Sequence, residues 1–465
     1  MHAELAIVGA GPAGMAAAQL ASRHGLKVAV IDEQHRRGGQ ILRQPPATFR
    51  VEHWLTDRIY RPQQTLLQHS ADNHSVRWLH ATTVLGTDIV DDGITLLLDG
   101  PGGVSELTAD RVLLATGCHD MSVSFPGSVL PGVMATGGIQ AFIKSQQIVP
   151  GERFVFSGSH PLQLIVADQV LQAGGEVAAV LFSQPLSVFL KLLRHSPAML
   201  RYPAKMLYFA RACARLLRHG VPIRFGKVTK RAVGEQVLQS VEIADSDTLQ
   251  HSQNLDCDRL GIGFGFLANS QLANQLGARC RWCDMSGGWL AQADEWMRSS
   301  VPGVYVAGEI TGIGGADVSQ REGEVAALGV MMDAGILTRE AADKQARGAR
   351  RALRPLYRFA EMLSALSHPG LPLLQSLMAA DSLLCKCEEV TTGEVNVILD
   401  ENTFTADLNA LKLLSRCGMG MCQGRYCQYQ LRTLLASRRS EPSAEEGFKT
   451  QFPVKPVAIG ALASE

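Results

Sequence analysis

Residues 4–33 read ELAIVGAGPAGMAAAQLASRHGLKVAVIDE. A buried apolar strand runs into a glycine turn, an Ala-rich helix follows, and a second apolar strand ends in acid; this is the pattern of a βαβ unit. In the turn Gly9-Ala10-Gly11-Pro12-Ala13-Gly14, Gly9 permits the tight bend and Gly11 lets backbone approach a pyrophosphate. Gly14 allows close packing of helix on strand, and the free amides of the helix start face the phosphates. Asp32 ends the second strand, at the distance from the turn where a carboxylate accepts hydrogen bonds from ribose hydroxyls; Glu33 is the neighbouring alternative. A dinucleotide is expected here, with FAD and NAD both compatible with the turn alone.

Three later segments favour FAD, which extends across its domain and needs them to close over it. Gly38-Gly39-Gln40-Ile41 offers a flexible loop whose amides reach the pyrophosphate or flavin. Arg111–Gly117, RVLLATG, is an apolar strand ending in Ala115-Thr116-Gly117, small residues where backbone passes close to a ligand. Val304–Glu309, VYVAGE, ends in Gly308-Glu309, and a glycine-rich stretch and a helix from about Val318 come next. That third segment resembles the C-terminal FAD motif of the two-dinucleotide-binding flavoproteins, which include thioredoxin and glutathione reductases. Asp is the usual acid there, holding the ribityl chain, and Glu309 is one methylene longer. The helix start that follows would favour reduced, anionic flavin.

A second unit of the same kind spans 153–182, RFVFSGSHPLQLIVADQVLQAGGEVAAVLF. Its turn is altered: His160 stands where the second glycine belongs, and the second strand ends at Leu181-Phe182 without a ribose-binding acid. The fold is expected to persist as scaffold or to hold another adenine nucleotide, with NAD(P)H disfavoured. The following stretch from Lys191 to Arg218 carries seven Lys or Arg and no acid, interrupted by Pro197 and Pro203. It reads as helix with a solvated basic face, an amphipathic membrane or partner helix being the rival.

At 465 residues, 46% hydrophobic and 19% charged, the composition is that of a globular chain of several domains, and disorder is excluded. Lys plus Arg equals Asp plus Glu at 44 each, so no global field attracts nucleic acid or an anionic membrane. No apolar run reaches the length of a membrane span, and a soluble, cytoplasmic protein, at most peripheral to a membrane, is expected.

Of ten cysteines, five fall between Cys385 and Cys427, crowding that points to a metal site instead of a disulfide framework. They are Cys385-Lys386-Cys387, Cys417, and Cys422 with Cys427. Two close pairs on separate loops supply the four thiolates of an iron–sulfur cluster, and zinc is the competing metal. Cys417 falls at the expected end of a helix before Gly418, and glycine amides with Arg416 and Arg425 would offset the charge of a cluster. Thr391-Thr392-Gly393-Glu394 fits a capping box, so a short helix should follow the first pair. Cys280-Arg281-Trp282-Cys283 has redox spacing but lies in a strand-like alternation, and Cys118 beside the ATG turn reads as core.

Nearly the whole chain resembles the FAD-containing large subunit of bacterial hetero-oligomeric amine dehydrogenases, a group with opine oxidase, hydrogen cyanide synthase and dye-linked proline and D-hydroxyproline dehydrogenase subunits. The marks are GAGPAG at 9–14, GGQILRQPP at 38–46, FPGSVLPGV at 125–133 and GMGMCQGRYC at 418–427. The last is similar to the bacterioferritin-associated-ferredoxin-like 2Fe-2S domain. That resemblance implies Cys385, Cys387, Cys422 and Cys427 as ligands and leaves out Cys417. It implies an amine-oxidase-like flavoprotein partner that oxidises the substrate, with a small third subunit or an interface flavin in some complexes. This chain would be the electron-handling half. A stand-alone NAD(P)H-dependent reductase, or a non-enzymatic iron-delivery partner, are the rival readings.

The expected fold class is α/β, a two-dinucleotide-binding-domain flavoprotein with a small helical 2Fe-2S domain. The boundaries read 1–118 and 241–335 for the FAD domain, 119–240 for the inserted NAD(P)-like domain, 336–379 for a helical connector, 380–440 for the cluster domain and 441–465 for a tail.

Overall fold

The computed structural model describes residues 1–463 except 52–54, 56, 91, 92, 196–200, 403–406 and 439–446. Pro197 lies outside the described residues.

The first strand, His2–Val8, pairs in parallel with Val28–Ile31 on one side and with the C-terminal part of Gly103–Leu114 on the other. Val76–Leu79 extends one edge, and Val304–Val306 joins Gly103–Leu114 on the other, both parallel. All these strands therefore end on the same side, at Gly9, Asp32, Ala115 and Ala307. The N-terminal part of Gly103–Leu114 bends into an antiparallel ladder with Gly93–Gly100, which pairs with Thr83–Val90. Side chains alternate across the first strand: Leu5 and Ile7 pack in the core with the helices Pro12–Arg23 and Ala316–Asp333, Ala6 and Val8 in the core with Leu96, Leu98 and Val304. Burial on both faces accounts for the unbroken apolar run in the sequence.

The second sheet is wholly parallel, in the order Ile223–Phe225, Glu176–Phe182, Arg153–Gly158, Arg259–Gly263, Val133–Ala135. It takes in Arg259–Gly263, which lies beyond the boundary at 240 that sequence places on the inserted domain. That short strand follows an antiparallel excursion, Lys227–Val233, Ser240–Asp245 and Gln253–Asp256, so nothing local marks it as a member of the earlier sheet. The basic stretch forms two helices, Leu186–His195 and Pro203–Arg218, the second opened by its proline.

The connector's long helix, Arg339–Ser367, is capped by the Thr338 hydroxyl and carries Pro355 within it, and a short helix, Leu371–Leu377, follows. Its Ala342, Ala346, Ala349, Leu353 and Leu356 enter the core of the first domain. The C-terminal module has its own small core around Leu384, Val395, Leu411, Leu431 and Phe448. It holds the hairpin Leu383–Cys385 with Val390–Thr391 and the helices Thr392–Glu401, Leu408–Ser415 and Gln428–Arg438. Thr391 and Glu394 complete the expected capping box reciprocally. Among the described residues no helix is long and apolar enough to cross a membrane.

Candidate functional site

The first glycine turn is built for two different reasons. Gly9, at φ +110°, would place a Cβ 2.3 Å from the Ala115 carbonyl oxygen, and a Cβ on Gly14 would lie 1.9 Å from the carbonyl oxygen of Gly9. Those two glycines are required by packing. Gly11 is not: the nearest heavy atom to a Cβ there is Gly39 Cα at 3.9 Å, so its bare backbone faces open space. The helix that follows starts at Pro12 without a side-chain cap. Its first amides are thus placed for an external anion.

Asp32 accepts the Ala10 amide at 2.5 Å on one oxygen and the Gln34 amide at 2.7 Å on the other. It fixes the turn to the end of its own strand, and burial raises its pKa against those bonds. Glu33 is more exposed and pairs with Lys455. Gly38 donates to the Ala10 carbonyl at 2.8 Å, which docks the loop of Gly39 and Gln40 beside Gly11.

The later segments close on this turn. Ala115 donates to the Val8 carbonyl at 2.8 Å. Thr116 exchanges two bonds with Asn269, its hydroxyl to the Asn269 carbonyl at 2.6 Å and its own carbonyl taking Asn269 Nδ2 at 3.0 Å. Gly117 accepts the Asn269 amide at 2.9 Å. A Cβ on Gly308 would lie 3.2 Å from Ala13 Cβ, so the third segment touches the first helix. Glu309 Oε1 accepts the Gly315 amide at 2.7 Å, whereas its Oε2 is buried without a hydrogen-bond partner among the described residues. Burial pushes the Glu309 carboxyl up to about 7.

A second carboxylate here is one that sequence reasoning misses. Glu322 accepts the Gly308 amide at 2.7 Å, the Thr311 hydroxyl at 2.9 Å and the Tyr357 hydroxyl at 2.7 Å. It pins the turn that presents Glu309. The signal for it is an acid on an otherwise apolar helix face, between Val318 and Val325. An orphaned carboxylate oxygen, an open glycine and an uncapped helix start, gathered where parallel strands end, fit a bound dinucleotide.

The second glycine turn is closed by the chain itself. A Cβ on Gly158 would meet the Gly263 carbonyl oxygen at 2.1 Å, so this glycine serves strand packing. His160 Nδ1 accepts the Leu162 amide at 3.1 Å, taking one amide of a helix start that would otherwise serve phosphate. The ring packs edge-on against Phe266, 5.1 Å between centroids, and burial pulls its pKa down to about 4. Just past the second strand, Gln184 Nε2 donates to the Ser159 carbonyl at 3.0 Å and to the Leu366 carbonyl at 2.6 Å, so the end of the connector helix is tied to the turn.

In the C-terminal module Cys385, Cys417 and Cys427 are buried in one small core, and Cys385 also lies near the Gly418 and Glu388 amides. Cys387 lies near Cys422. All five cysteines are therefore near neighbours, including Cys417, which the resemblance leaves out. Among the described residues no group of three or more Cys, His, Asp or Glu meets the spacing of a metal site. Close approach explains the glycines: a Cβ on Gly420 would lie 2.3 Å from Cys387 Cβ. Arg416, expected to offset cluster charge, is engaged by Glu388 at 2.8 Å; Arg425 Nε is buried without a partner among the described residues.

The module is joined to the first site twice. His119 lies between Asn269 Oδ1, 2.8 Å from Nδ1, and the Arg425 carbonyl, 3.2 Å from Nε2, and its ring meets Tyr426 edge-on at 5.9 Å. The tail at 447–455 returns across the first domain: Thr450 donates to Asn274 Oδ1 at 3.0 Å, Val454 to the Leu85 carbonyl at 2.7 Å, and Lys455 reaches Glu33. Cys280–Cys283 is a strand, as its alternation predicts, and residues three apart on a strand point to opposite faces.

Residues 3–323 match the family described as pyridine nucleotide-disulphide oxidoreductase. The hydrogen cyanide synthase subunit HcnB of Pseudomonas protegens is 32% identical over 98% of this chain and 96% of its own length. An opine oxidase subunit of Rhizobium meliloti is 32% identical over 98% of this chain and 97% of its own. Among solved structures, L-proline dehydrogenase from P. horikoshii superposes with a TM-score of 0.72 at 20% identity, over 100% of this chain and 80% of that one. Family membership supports FAD as the dinucleotide of the first cradle, and both relatives are named as enzyme subunits. The chain belongs to the pyridine nucleotide-disulphide oxidoreductase family, in the branch that holds the hydrogen cyanide synthase and opine oxidase subunits.

Proposed function

We propose that this chain is the FAD- and 2Fe-2S-containing subunit of a hetero-oligomeric dehydrogenase acting on amine, imino-acid or opine-type donors. It moves electrons from a partner flavoprotein subunit, which oxidises the substrate, toward an external acceptor. The observation that carries this reading is the contrast between an open first cradle and a second one in which His160 takes an amide of the helix start; five cysteines in the C-terminal module add to it. A docking place for NAD(P)H is the feature a self-sufficient reductase would need, and that is the place the chain fills with its own side chains.

The residues divide the work. Gly11 and the helix start would receive the pyrophosphate, Asp32 or Glu33 the adenosine ribose, and Gly39, Gln40 and Ala115-Thr116-Gly117 would flank the flavin. Glu309 Oε2 would take a ribityl hydroxyl, and Glu322 keeps that carboxylate in place through Gly308. Cys385, Cys387, Cys422 and Cys427 would hold the cluster, with Cys417 close enough to substitute. When bound, the flavin supplies two-electron chemistry and the cluster one-electron transfer. Burial pushes Glu309 up to about 7, so near neutral pH its carboxyl could donate to or accept from the hydroxyl it would hold.

The test is anaerobic mixing of the purified, yellow protein with NADH and NADPH, together with iron and sulfide analysis. The expected result is about two iron and two sulfide per chain, and no rapid bleaching by either nucleotide. Fast bleaching would establish the reductase instead, and iron-free yellow protein would remove the cluster.

A further inference from the structure

We infer that the inserted domain braces the flavin cradle through residues 136–146, and that Lys144 is the positioning residue of this brace for bound FAD. The inference rests on the reading that the first cradle holds FAD. It gives the second unit a duty after its own crevice has been filled. The brace leaves the end of Val133–Ala135, a strand of the second sheet, as the helix Thr136–Ala141 and one π-helical turn, Phe142–Gln146. Each of its ends is bonded to the first domain beside residues proposed to flank the flavin.

At the start, Asp120, which follows Ala115-Thr116-Gly117, accepts the Gly137 amide on Oδ1 at 3.0 Å. A Cβ on Gly137 would lie 2.4 Å from Asp120 Oδ2, so the approach requires glycine. At the other end, Lys144 Nζ donates to the Ile41 carbonyl, next to Gln40, at 3.4 Å and stands 5.5 Å from the centre of the Tyr60 ring. The turn that presents it is held in place. Gln147 closes it at φ +56°, and Gln147 Nε2 donates to the Ile143 and Lys144 carbonyls at 3.1 and 2.9 Å.

Lys144 is 5% exposed, and burial pulls its amine down to about 8, so at pH 7 a cation is kept inside the protein. An ammonium carries three donors, and among the described residues one acceptor meets it, at a long distance. Burying a charge for so little is unfavourable to the fold alone. It becomes favourable when the loop at 38–41 closes on a ligand, because a loop held in its bound form spares the ligand the cost of ordering it.

The experiment uses the full-length protein. It reads FAD release from the fluorescence of freed flavin, the visible circular dichroism of bound flavin, and urea melts with and without FAD. Lys144→Met keeps the buried stem and removes charge and donor, whereas Lys144→Arg keeps both. Lys144→Met should release FAD about fivefold faster or more and change the flavin dichroism, while its apoprotein melts no lower than wild type. Lys144→Arg should stay within about twofold. Release and dichroism unchanged in Lys144→Met overturn the inference. An equal loss of stability with and without FAD overturns it too, since the lysine then serves the fold and not the ligand. Should that variant not fold, Asp120→Ala frees the other end of the brace and should speed release about threefold or more; an unchanged rate there overturns it equally. Wild-type protein that binds no FAD sinks the reading beneath the inference, a result distinct from these.

Discussion

The two glycine turns share one frame, strand, turn, helix and strand, each following an interior strand at the C-terminal ends of parallel-paired strands, and differ in who fills the crevice. In the first, Gly11 has nothing within 3.9 Å of a Cβ, and Glu309 keeps an oxygen unpartnered among the described residues. In the second, His160 takes the Leu162 amide at the helix start, and Gln184 ties the turn to Leu366. Cradle and scaffold share the order of elements but differ in side chains and in backbone: Gly9 sits at φ +110° and the first helix is entered from extended Gly11, whereas the second is entered from Pro161 in a helical conformation. A βαβ unit is evidence of fold; the atoms left without partners are what point to a ligand.

The comparison breaks most readily within the first turn. Gly14→Ala drives a Cβ to 1.9 Å from a carbonyl oxygen, and should cost about 3 kcal/mol of stability or prevent folding, read from urea melts. Gly11→Ala should leave the melt of the apoprotein unchanged, since φ there is −76° and the space is open, but lower FAD affinity by about tenfold or more. A Gly11→Ala protein that retains FAD would place the dinucleotide elsewhere. One turn then yields two glycines with opposite readouts, stability for one and ligand for the other.

The closed turn answers to acid. His160 has an ordinary pKa near 6.5 in the unfolded chain and about 4 in the fold, so the unfolded state binds more protons between those values. Its contribution is intact above pH 6.5 and is lost as pH falls toward 4, at ~1.4 kcal/mol per pH unit. Relative to pH 7, wild type at pH 5 should lose about 2 kcal/mol more than His160→Gln, which keeps an acceptor for the Leu162 amide. His119 is displaced in the same direction and adds to the acid loss in both proteins. Equal acid sensitivity in the two would mean that solvent reaches the His160 ring.

What the sequence discloses follows distance along the chain. The first turn, the capping box at Thr391, the connector helix and the strand at Cys280–Cys283 all rest on contacts within a few residues, where pattern and chemistry speak directly. Glu309 is legible because its strand and glycine announce it. His119 is not, because its partner Arg425 is 306 residues away. Asp32 reads as a ribose acceptor, and its bonds to the Ala10 and Gln34 amides add a second duty that spacing alone does not reveal. Cys417 stands at a helix end and outside the ligand set that resemblance implies; the fold returns it to Cys385 from the other side. Glu322 acquires its role only through the packing of two helices.

The smallest expected effect lies at the other end of the first cradle, where the returning tail meets it. Lys455 pairs with Glu33 across 422 residues of sequence, but both side chains are partly exposed, at 33% and 46%. Such a pair contributes about 0.2–1 kcal/mol, screened by salt, and Val454 and Phe448 remain buried to hold the tail without it. Lys455→Ala should therefore shift FAD affinity by no more than about fivefold at low ionic strength, and the difference from wild type should vanish as salt is raised. If instead the variant loses FAD outright at every salt concentration, Lys455 is a direct contact of the nucleotide, and the pairing with Glu33 describes a side chain waiting for its ligand. The salt series separates the two, because a screened surface pair fades with ionic strength and a buried contact persists.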